Sequence, residues 1–313
     1  MSVRIIMKLL VDKREQLDDD LVLLWFRHPI RPQLPKWTPG AHVDVRLDDG
    51  KIRQYSLTSD PNDLARYAIT VKREGDGRGG SAFIYDHFTE GSQVRVSMPR
   101  NNFKLVPGKG VLIAGGIGVT PLISMGRALS QIKMLESFHF CAKTPRPSIE
   151  EVLSQFCEGS LSTYFSNDPD SHRLNLASLI ENLSSDLHIY CCGPERLMSE
   201  VKYLTADWNP DQLHFETFNI SGDQDQKAEP FDVTVSSTGE TLRVSESQSI
   251  LDVLRVAGYV IPSSCRQGIC GTCECRYTSG DVIHRDSILS PDERQDRIMP
   301  CVSRARVSVT LDL

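Results

Sequence analysis

The sequence predicts a multidomain protein: an antiparallel β-barrel, a parallel-sheet α/β domain, and a small C-terminal unit built round cysteines. Three observations lead there. A chain of 313 residues exceeds what one compact core usually organises. The hydrophobic rhythm changes near residue 106, from alternating strands to strands interleaved with helices. Five of the nine cysteines, Cys265, Cys270, Cys273, Cys275 and Cys301, crowd into the last 50 residues.

Residues 1–105 are expected to form the barrel. Val43 to Leu47 and Tyr67 to Val71 alternate with period two. Asp49-Gly50, Gly75-Asp76-Gly77 and Glu90-Gly91 supply turns, and short strands at close spacing suit an antiparallel barrel. A helix is expected from Ala82 to Phe88.

Residues 106–220 read as the α/β domain. Val111-Leu112-Ile113-Ala114 is a continuous apolar run, as a strand buried on both faces requires. Helices are expected at Pro121 to about Leu135, Ser148 to Phe156, Leu176 to Leu183 and Glu195 to Leu204. Strands are expected at 137–140, 162–165, 187–190 and 213–215. That βαβ rhythm implies a parallel sheet covered by helices. The polar stretch 221–230 reads as a linker. Residues 231–313 form the third unit, opening on the strand Phe231 to Val235, with one helix from Ile250 to Ala257.

Composition excludes several classes. Apolar residues make up 40% and charged residues 24%, ordinary for a globular protein. A net charge of −6 argues against nucleic acid as a partner. No apolar run approaches the roughly 20 residues that span a bilayer, and Met1 to Val11 lacks the order of a signal peptide, so no membrane association is expected. An odd, lopsided cysteine count argues against a disulfide framework and for a metal site in a reducing cytoplasm.

Cys265-Arg266-Gln267-Gly268-Ile269-Cys270-Gly271-Thr272-Cys273 is a C-x4-C-x2-C segment, and Cys301 follows after 27 residues. This is the plant-type [2Fe–2S] spacing. Two irons bridged by two sulfides need four thiolates, and a loop wrapping them needs glycines, here Gly268 and Gly271, for close backbone approach. A structural zinc site also uses four cysteines, but usually pairs two C-x2-4-C knuckles, and the second knuckle is missing. Cys275 is the fifth cysteine, expected to pack into the core from the strand after the loop.

The segment Ser264 to Cys273, with His284-Arg285-Asp286 and Cys301-Val302-Ser303-Arg304-Ala305, resembles the ferredoxin domain of the phthalate dioxygenase reductase and vanillate demethylase reductase family. The resemblance runs over the whole chain, in the order flavin barrel, nucleotide domain, C-terminal ferredoxin. It implies a β-grasp, plant-type fold for the third unit. It also implies FMN, NADH and a [2Fe–2S] cluster as cofactors, with Cys265, Cys270, Cys273 and Cys301 as cluster ligands.

Arg53-Gln54-Tyr55-Ser56-Leu57 resembles the R-x-Y-S of the ferredoxin reductase superfamily, which lies beside the isoalloxazine. Arg53 can neutralise a phosphate, Tyr55 offers a flat surface, and Ser56 can hydrogen-bond the flavin. Val71 and Lys72 lie on the next strand, and Gly79-Gly80-Ser81 precedes a helix whose N–H groups can hold a phosphate. The resemblance thus implies flavin contacts at Arg53, Tyr55, Ser56, Leu57, Val71, Lys72, Gly79, Gly80 and Ser81. Gly115-Gly116-Ile117-Gly118-Val119-Thr120-Pro121 follows a strand and opens a helix, the geometry that binds a pyrophosphate. It is similar to the superfamily's G-G-x-G-x-T-P, and Cys192-Gly193-Pro194 to its C-G-P. Cys191 should face the other way and pack. Ser56, Thr120 and Cys192 are the residues expected beside the reacting atoms. Phe218 is the aromatic expected over the flavin face. Lys143 and Arg146, where relatives that use NADPH carry 2′-phosphate contacts, stand against the NADH expectation.

The reading is an NADH-dependent reductase that passes electrons through FMN and a [2Fe–2S] cluster to a partner Rieske-type oxygenase or demethylase. The alternatives are a cytochrome or ferredoxin as acceptor, or a non-enzymatic zinc module. Residues 231–313 carry 11 acidic and 9 basic residues, too balanced to indicate an acceptor.

Overall fold

The computed structural model describes residues 5–48, 51–75, 79–218, 229–263, 266, 268, 270–286 and 288–313. The expected turns at Asp49-Gly50 and Asp76-Gly77, the linker residues 221–228, and Ser264, Cys265, Gln267 and Ile269 of the cysteine segment lie outside the described residues. The chain divides into two compact units, 1–217 and 218–313.

The first unit opens with β1 (Ile6–Asp18), β2 (Leu21–Arg27), β3 (His42–Arg46), β4 (Ile52–Ser56), β5 (Tyr67–Lys72), the helix α1 (Gly80–His87) and β6 (Gln93–Ser97). The six strands are ordered β4-β3-β6-β1-β2-β5 with antiparallel neighbours. A bridge between Leu57 and Ile69 joins the two outer strands, and Thr58 N–H donates to Ala68 O at 2.9 Å. The sheet therefore curls into the barrel that the sequence predicts, and closure removes the exposed edges. Met7, Leu9 and Val11 of β1 point inward with period two, and Phe26, Val43, Val45, Ile69 and Ile84 fill the same core.

The second sheet follows in the same unit: β7 (Gly110–Gly115), α2 (Val119–Gln131), β8 (Leu135–Ala142), α3 (Pro147–Ser154), β9 (Leu161–Phe165), α4 (Leu176–Glu181), β10 (His188–Cys192), α5 (Glu195–Leu204) and β11 (Leu213–Glu216). All neighbours in the order β11-β10-β7-β8-β9 are parallel. Every residue of β7 is buried. The order reverses at β7: the chain steps outward through β8 and β9, then returns to lay β10 on the other side. The carboxyl ends of β7 and β10 thus flank the switch point, where open α/β sheets leave a crevice for ligands.

Barrel and parallel sheet fall in one compact unit, and polar and apolar contacts join them. Gly40 N–H donates to Ser124 Oγ at 3.1 Å, Val106 N–H to Tyr190 Oη at 3.0 Å, and the rings of Phe103 and Tyr190 meet edge to face at 6.0 Å. Arg146 at the start of α3 reaches the β1–β2 turn, binding Asp20 through both terminal nitrogens at 2.5 and 3.2 Å. Leu135, expected to end a helix, instead starts β8. Met134 O accepts the Gly110 N–H, so the chain turns into the sheet there.

The second unit holds β12 (Phe231–Val235), β13 (Thr241–Val244), α6 (Ile250–Val256), β14 (Cys275–Ile283), β15 (Arg297–Ile298) and β16 (Arg304–Asp312), in the order β13-β12-β16-β14-β15. Only β12 and β16 pair in parallel among these described strands. A capping box starts α6: Ser249 Oγ accepts from Asp252 N–H and Asp252 answers the Ser249 N–H. Ile250, Leu251 and Leu254 then pack against Phe231, Val233 and Val309 in a core of the unit's own. Among the described residues no helix is long and apolar enough to cross a membrane.

Candidate functional site

The barrel residues singled out by the sequence converge on the end of β4 and the start of α1. Cross-strand register pairs Arg53 with Val45, Tyr55 with Val43 and Ser56 with His42. A Cβ on Gly80 would lie 2.6 Å from Arg53 Cζ, so the guanidinium rests close against the first turn of α1. No side chain caps that helix, and Gly79 precedes it in the left-handed region at φ +74°. Guanidinium and helix N-terminus together form an anion cradle. Ser81 stands in the same turn, its hydroxyl accepting from Glu74 N–H at 3.4 Å. Burial pushes the Tyr55 phenol well up, with Arg53 opposing and Glu74 adding to the shift. Ser56 Oγ is buried and has no hydrogen-bond partner, an orphan that a polar cofactor edge would satisfy. Leu57 and Val71 differ from Ser56: both are fully buried in the barrel core. Lys72 is half-buried.

At the switch point of the parallel sheet two turns pack backbone to backbone. A Cβ on Gly118 would lie 2.6 Å from the carbonyl carbon of Cys192, and one on Gly193 would lie 2.8 Å from Gly115 Cα. Gly116 to Gly118 form a short 3-10 turn that leads into α2. Thr120 is buried, and its hydroxyl donates to Ile117 O at 3.0 Å; Pro121 is buried beside it. Pro194 stands against Gly115. Cys191 packs with Val111 and Ile113 in the sheet core, as the alternation predicts. Cys192 faces the other side, beside its register partner Glu216. Burial, then the Glu216 and Cys191 charges, hold the Cys192 thiol well above its ordinary value. Burial likewise pushes the Glu216 carboxyl up to about 8, and its Oε2 has no partner. Both groups are therefore protonated near neutrality.

Glu216 went unassigned at the level of sequence, because only the parallel register of β10 and β11 brings it to Cys192. Arg146 is not free to read a phosphate: besides Asp20 it meets Asp18 at 3.5 Å, and these carboxylates raise its pKa further. Phe218 is the first residue of the second unit.

In the second unit Cys270, Cys273 and Cys301 are described, and Cys265 lies outside the described residues. Gly268 and Gly271 take the left-handed conformation at φ +70° and +67°, and so does Arg266 at +57°. Arg266 is held there by an ion pair with Asp252 of α6. A Cβ on Gly268 would press on Val302 Cγ2 at 2.6 Å and Asp286 Cα at 3.1 Å. The Cys270 thiol donates to Thr272 Oγ1 at 3.2 Å. Cys273 and Cys301 are buried and hydrogen-bonded, which pulls the Cys273 thiol below its ordinary value. Among the described residues no three His, Cys, Asp or Glu side chains surround one point. A two-iron cluster does not require that, since each iron takes two thiolates. Soft thiol donors on a tightly wound loop fit such a cluster. Cys275 packs on the unit's core from β14, where burial pushes its thiol up to about 12.

Comparison with known proteins agrees with this geometry. Residues 8–105 match the oxidoreductase FAD-binding domain family, and residues 233–306 match the 2Fe-2S iron-sulfur cluster binding domain family. The chain is similar to the reductase subunit of a phthalate 4,5-dioxygenase from Pseudomonas putida, 40% identical over 294 residues, 91% of this chain and 90% of that one. A vanillate O-demethylase oxidoreductase from a Pseudomonas species is 37% identical over 308 residues, covering 94% and 96%. The solved structure of a phthalate dioxygenase reductase, described as modular for electron transfer from pyridine nucleotides to [2Fe-2S], superposes with a TM-score of 0.78 at 34% identity. It covers 98% of each chain. On this footing the chain belongs to the phthalate dioxygenase reductase and vanillate O-demethylase oxidoreductase family, flavin- and iron–sulfur-domain oxidoreductases that serve oxygenase systems.

Proposed function

We propose that this chain is the reductase component of a multicomponent oxygenase, taking electrons from NADH and delivering them singly to a separate Rieske-type oxygenase or demethylase. The observation that carries the reading is the pairing of an anion cradle at Arg53 and Gly80 with a glycine-lined crevice at Gly118 and Cys192, both in one body. The thiol loop occupies a second body of the same chain. When bound, the flavin supplies the change from two-electron to one-electron chemistry, and the iron–sulfur cluster carries one electron at a time.

The chain's own residues bind, orient and exclude water. Arg53 with the N–H groups of Gly80 and Ser81 would hold a terminal phosphate, which favours FMN as the flavin. Tyr55 would lie against the ring system. Gly115, Gly116 and Gly118 would let the backbone approach a pyrophosphate at the start of α2. Thr120, Cys192 and Glu216 line the end of the crevice as neutral groups, so no stray charge competes there. Arg146 is saturated by Asp18 and Asp20, which supports NADH over NADPH despite its basic character. Cys265, Cys270, Cys273 and Cys301 would ligate the cluster. We take residues 1–105, 106–220 and 231–313 as the flavin, nucleotide and ferredoxin domains, joined by a linker at 221–230, in a cytoplasmic protein.

A chain truncated after Phe218 tests the reading. It should still oxidise NADH with ferricyanide, which can reach the flavin directly, and fail to reduce cytochrome c quickly or to drive a Rieske partner. A truncated chain that drives the oxygenase as fast as the full one would show that electrons leave from the flavin. Mass spectrometry of the released flavin decides FMN against FAD.

A further inference from the structure

His42 opens β3, and its backbone is held from two sides. Its N–H donates to Arg100 O at 2.8 Å, Arg100 N–H returns to His42 O at 2.9 Å, and Ser56 is its register partner on β4. Residues directly opposite on antiparallel strands share a face. The imidazole and the Ser56 hydroxyl therefore stand side by side, away from the face that Val43 and Tyr55 share. Both residues are sealed from solvent, His42 at 2% exposure and Ser56 at 4%. Neither ring nitrogen of His42 has a hydrogen-bond partner, nor has Ser56 Oγ. Three orphaned polar atoms on one patch of a well-formed sheet are unusual, because buried polar groups are nearly always paired.

The neighbours on that face do not account for them. Asp44 accepts from Arg100 Nη2 at 2.5 Å and from Gln54 Nε2 at 3.5 Å. Burial first, then the Arg100 charge, push the His42 pKa down to about 4 against the pull of Asp44. The ring is neutral under ordinary conditions and offers one N–H and one lone pair. Gly40, two residues upstream, bonds Ser124 of α2, the helix that begins at the nucleotide crevice with Thr120 and Pro121. His42 thus lies two residues from a contact with that helix and beside the serine of the flavin strand.

We propose that His42 is a further flavin-binding residue, its imidazole hydrogen-bonding the polar edge of the flavin ring alongside the Ser56 hydroxyl. The proposal rests on the flavin reading above. A flavin's pyrimidine edge alternates donors and acceptors, which a neutral imidazole and a hydroxyl match and a cationic histidine would match less well. Binding the flavin then satisfies the orphaned atoms that the protein by itself leaves unpaired.

Nitrogen-15 NMR of the full chain labelled at histidine follows the His42 ring, assigned by the signals missing from His42→Gln. Adding flavin to the flavin-free protein is expected to move at least one His42 ring signal, with the ring neutral from pH 6 to 8. His42→Leu is expected to weaken flavin binding about tenfold, the loss of one hydrogen bond in a sealed site, and His42→Gln to recover most of it. Signals that stay in place on flavin addition, or that move only when a nicotinamide nucleotide is added, overturn the proposal, as does unchanged flavin affinity in a folded His42→Leu chain. If that variant does not fold, the NMR of the unaltered protein decides. An unaltered chain that takes up no flavin would instead sink the flavin reading itself.

Discussion

Single residues in this protein work through where burial leaves their protons. Glu216 is the sharpest case. Its carboxyl is raised from an ordinary 4.5 to about 8 by burial, and nothing pairs Oε2. A raised folded-state value means that its contribution to stability is intact below about pH 4.5 and is lost as the pH rises through 8. Glu216→Gln should therefore have little effect on the thermal midpoint at pH 5 and should stabilise the protein relative to the unaltered chain at pH 8. A midpoint difference that does not grow between those two values would show that the carboxyl is not held protonated. His42, lowered from 6.5 to about 4, contributes the opposite slope, stability rising with pH between those two values, and does so equally in both chains, so the difference between them still reports Glu216.

Among the elements, α1 shows a site requirement overriding a folding preference. Glycine at its first position is a poor helix former, and alanine would favour the helix by roughly 1 kcal/mol. Yet a methyl there would meet Arg53 Cζ at 2.6 Å and drive the guanidinium off the helix N-terminus. Gly80→Ala should leave the thermal midpoint equal or higher while lowering flavin affinity about tenfold or more, read by fluorescence titration, the scale of one charge-assisted hydrogen bond. Equal affinity would mean that Arg53 does not hold the phosphate. The Gly118 turn makes the opposite comparison. There a methyl would meet the backbone of Cys192, which cannot swing aside, so Gly118→Ala should destabilise the chain by about 1–3 kcal/mol and weaken nucleotide binding together. Urea unfolding and NADH titration measure the two effects.

For the whole molecule, the relevant fact is that barrel and nucleotide sheet share one body while the cysteine loop belongs to another with its own core. Loss of the cluster should leave the first body intact. Cys270→Ser should abolish the iron–sulfur absorbance and electron paramagnetic resonance signal, while stopped-flow reduction of the flavin by NADH proceeds within about twofold of the unaltered rate. Flavin reduction that disappears in this variant would mean that the two bodies depend on each other for folding or for chemistry. Contacts such as Arg146 with Asp20 point the other way for the first two domains, which should not be separable without loss.

Much of this architecture was legible in local pattern. The helix Glu195–Leu204 and the strand Phe231–Val235 stand at their expected bounds, because strong periodicity and plain polar flanks leave little choice. The C-x4-C-x2-C spacing and the glycine turn after β7 are visible as motifs, since a cluster and a pyrophosphate each impose residue types at fixed separations. What the sequence could not decide depends on contacts between distant segments. Arg146 leaves the nucleotide preference in doubt until Asp18 and Asp20 are found beside it, and only barrel closure shows that Leu57 and Val71 are buried in the core. Glu216 and His42 carry no motif at all. Strand register alone sets one beside Cys192 and the other beside Ser56, and register is a property of the folded sheet, decided by which faces of distant strands can be buried together.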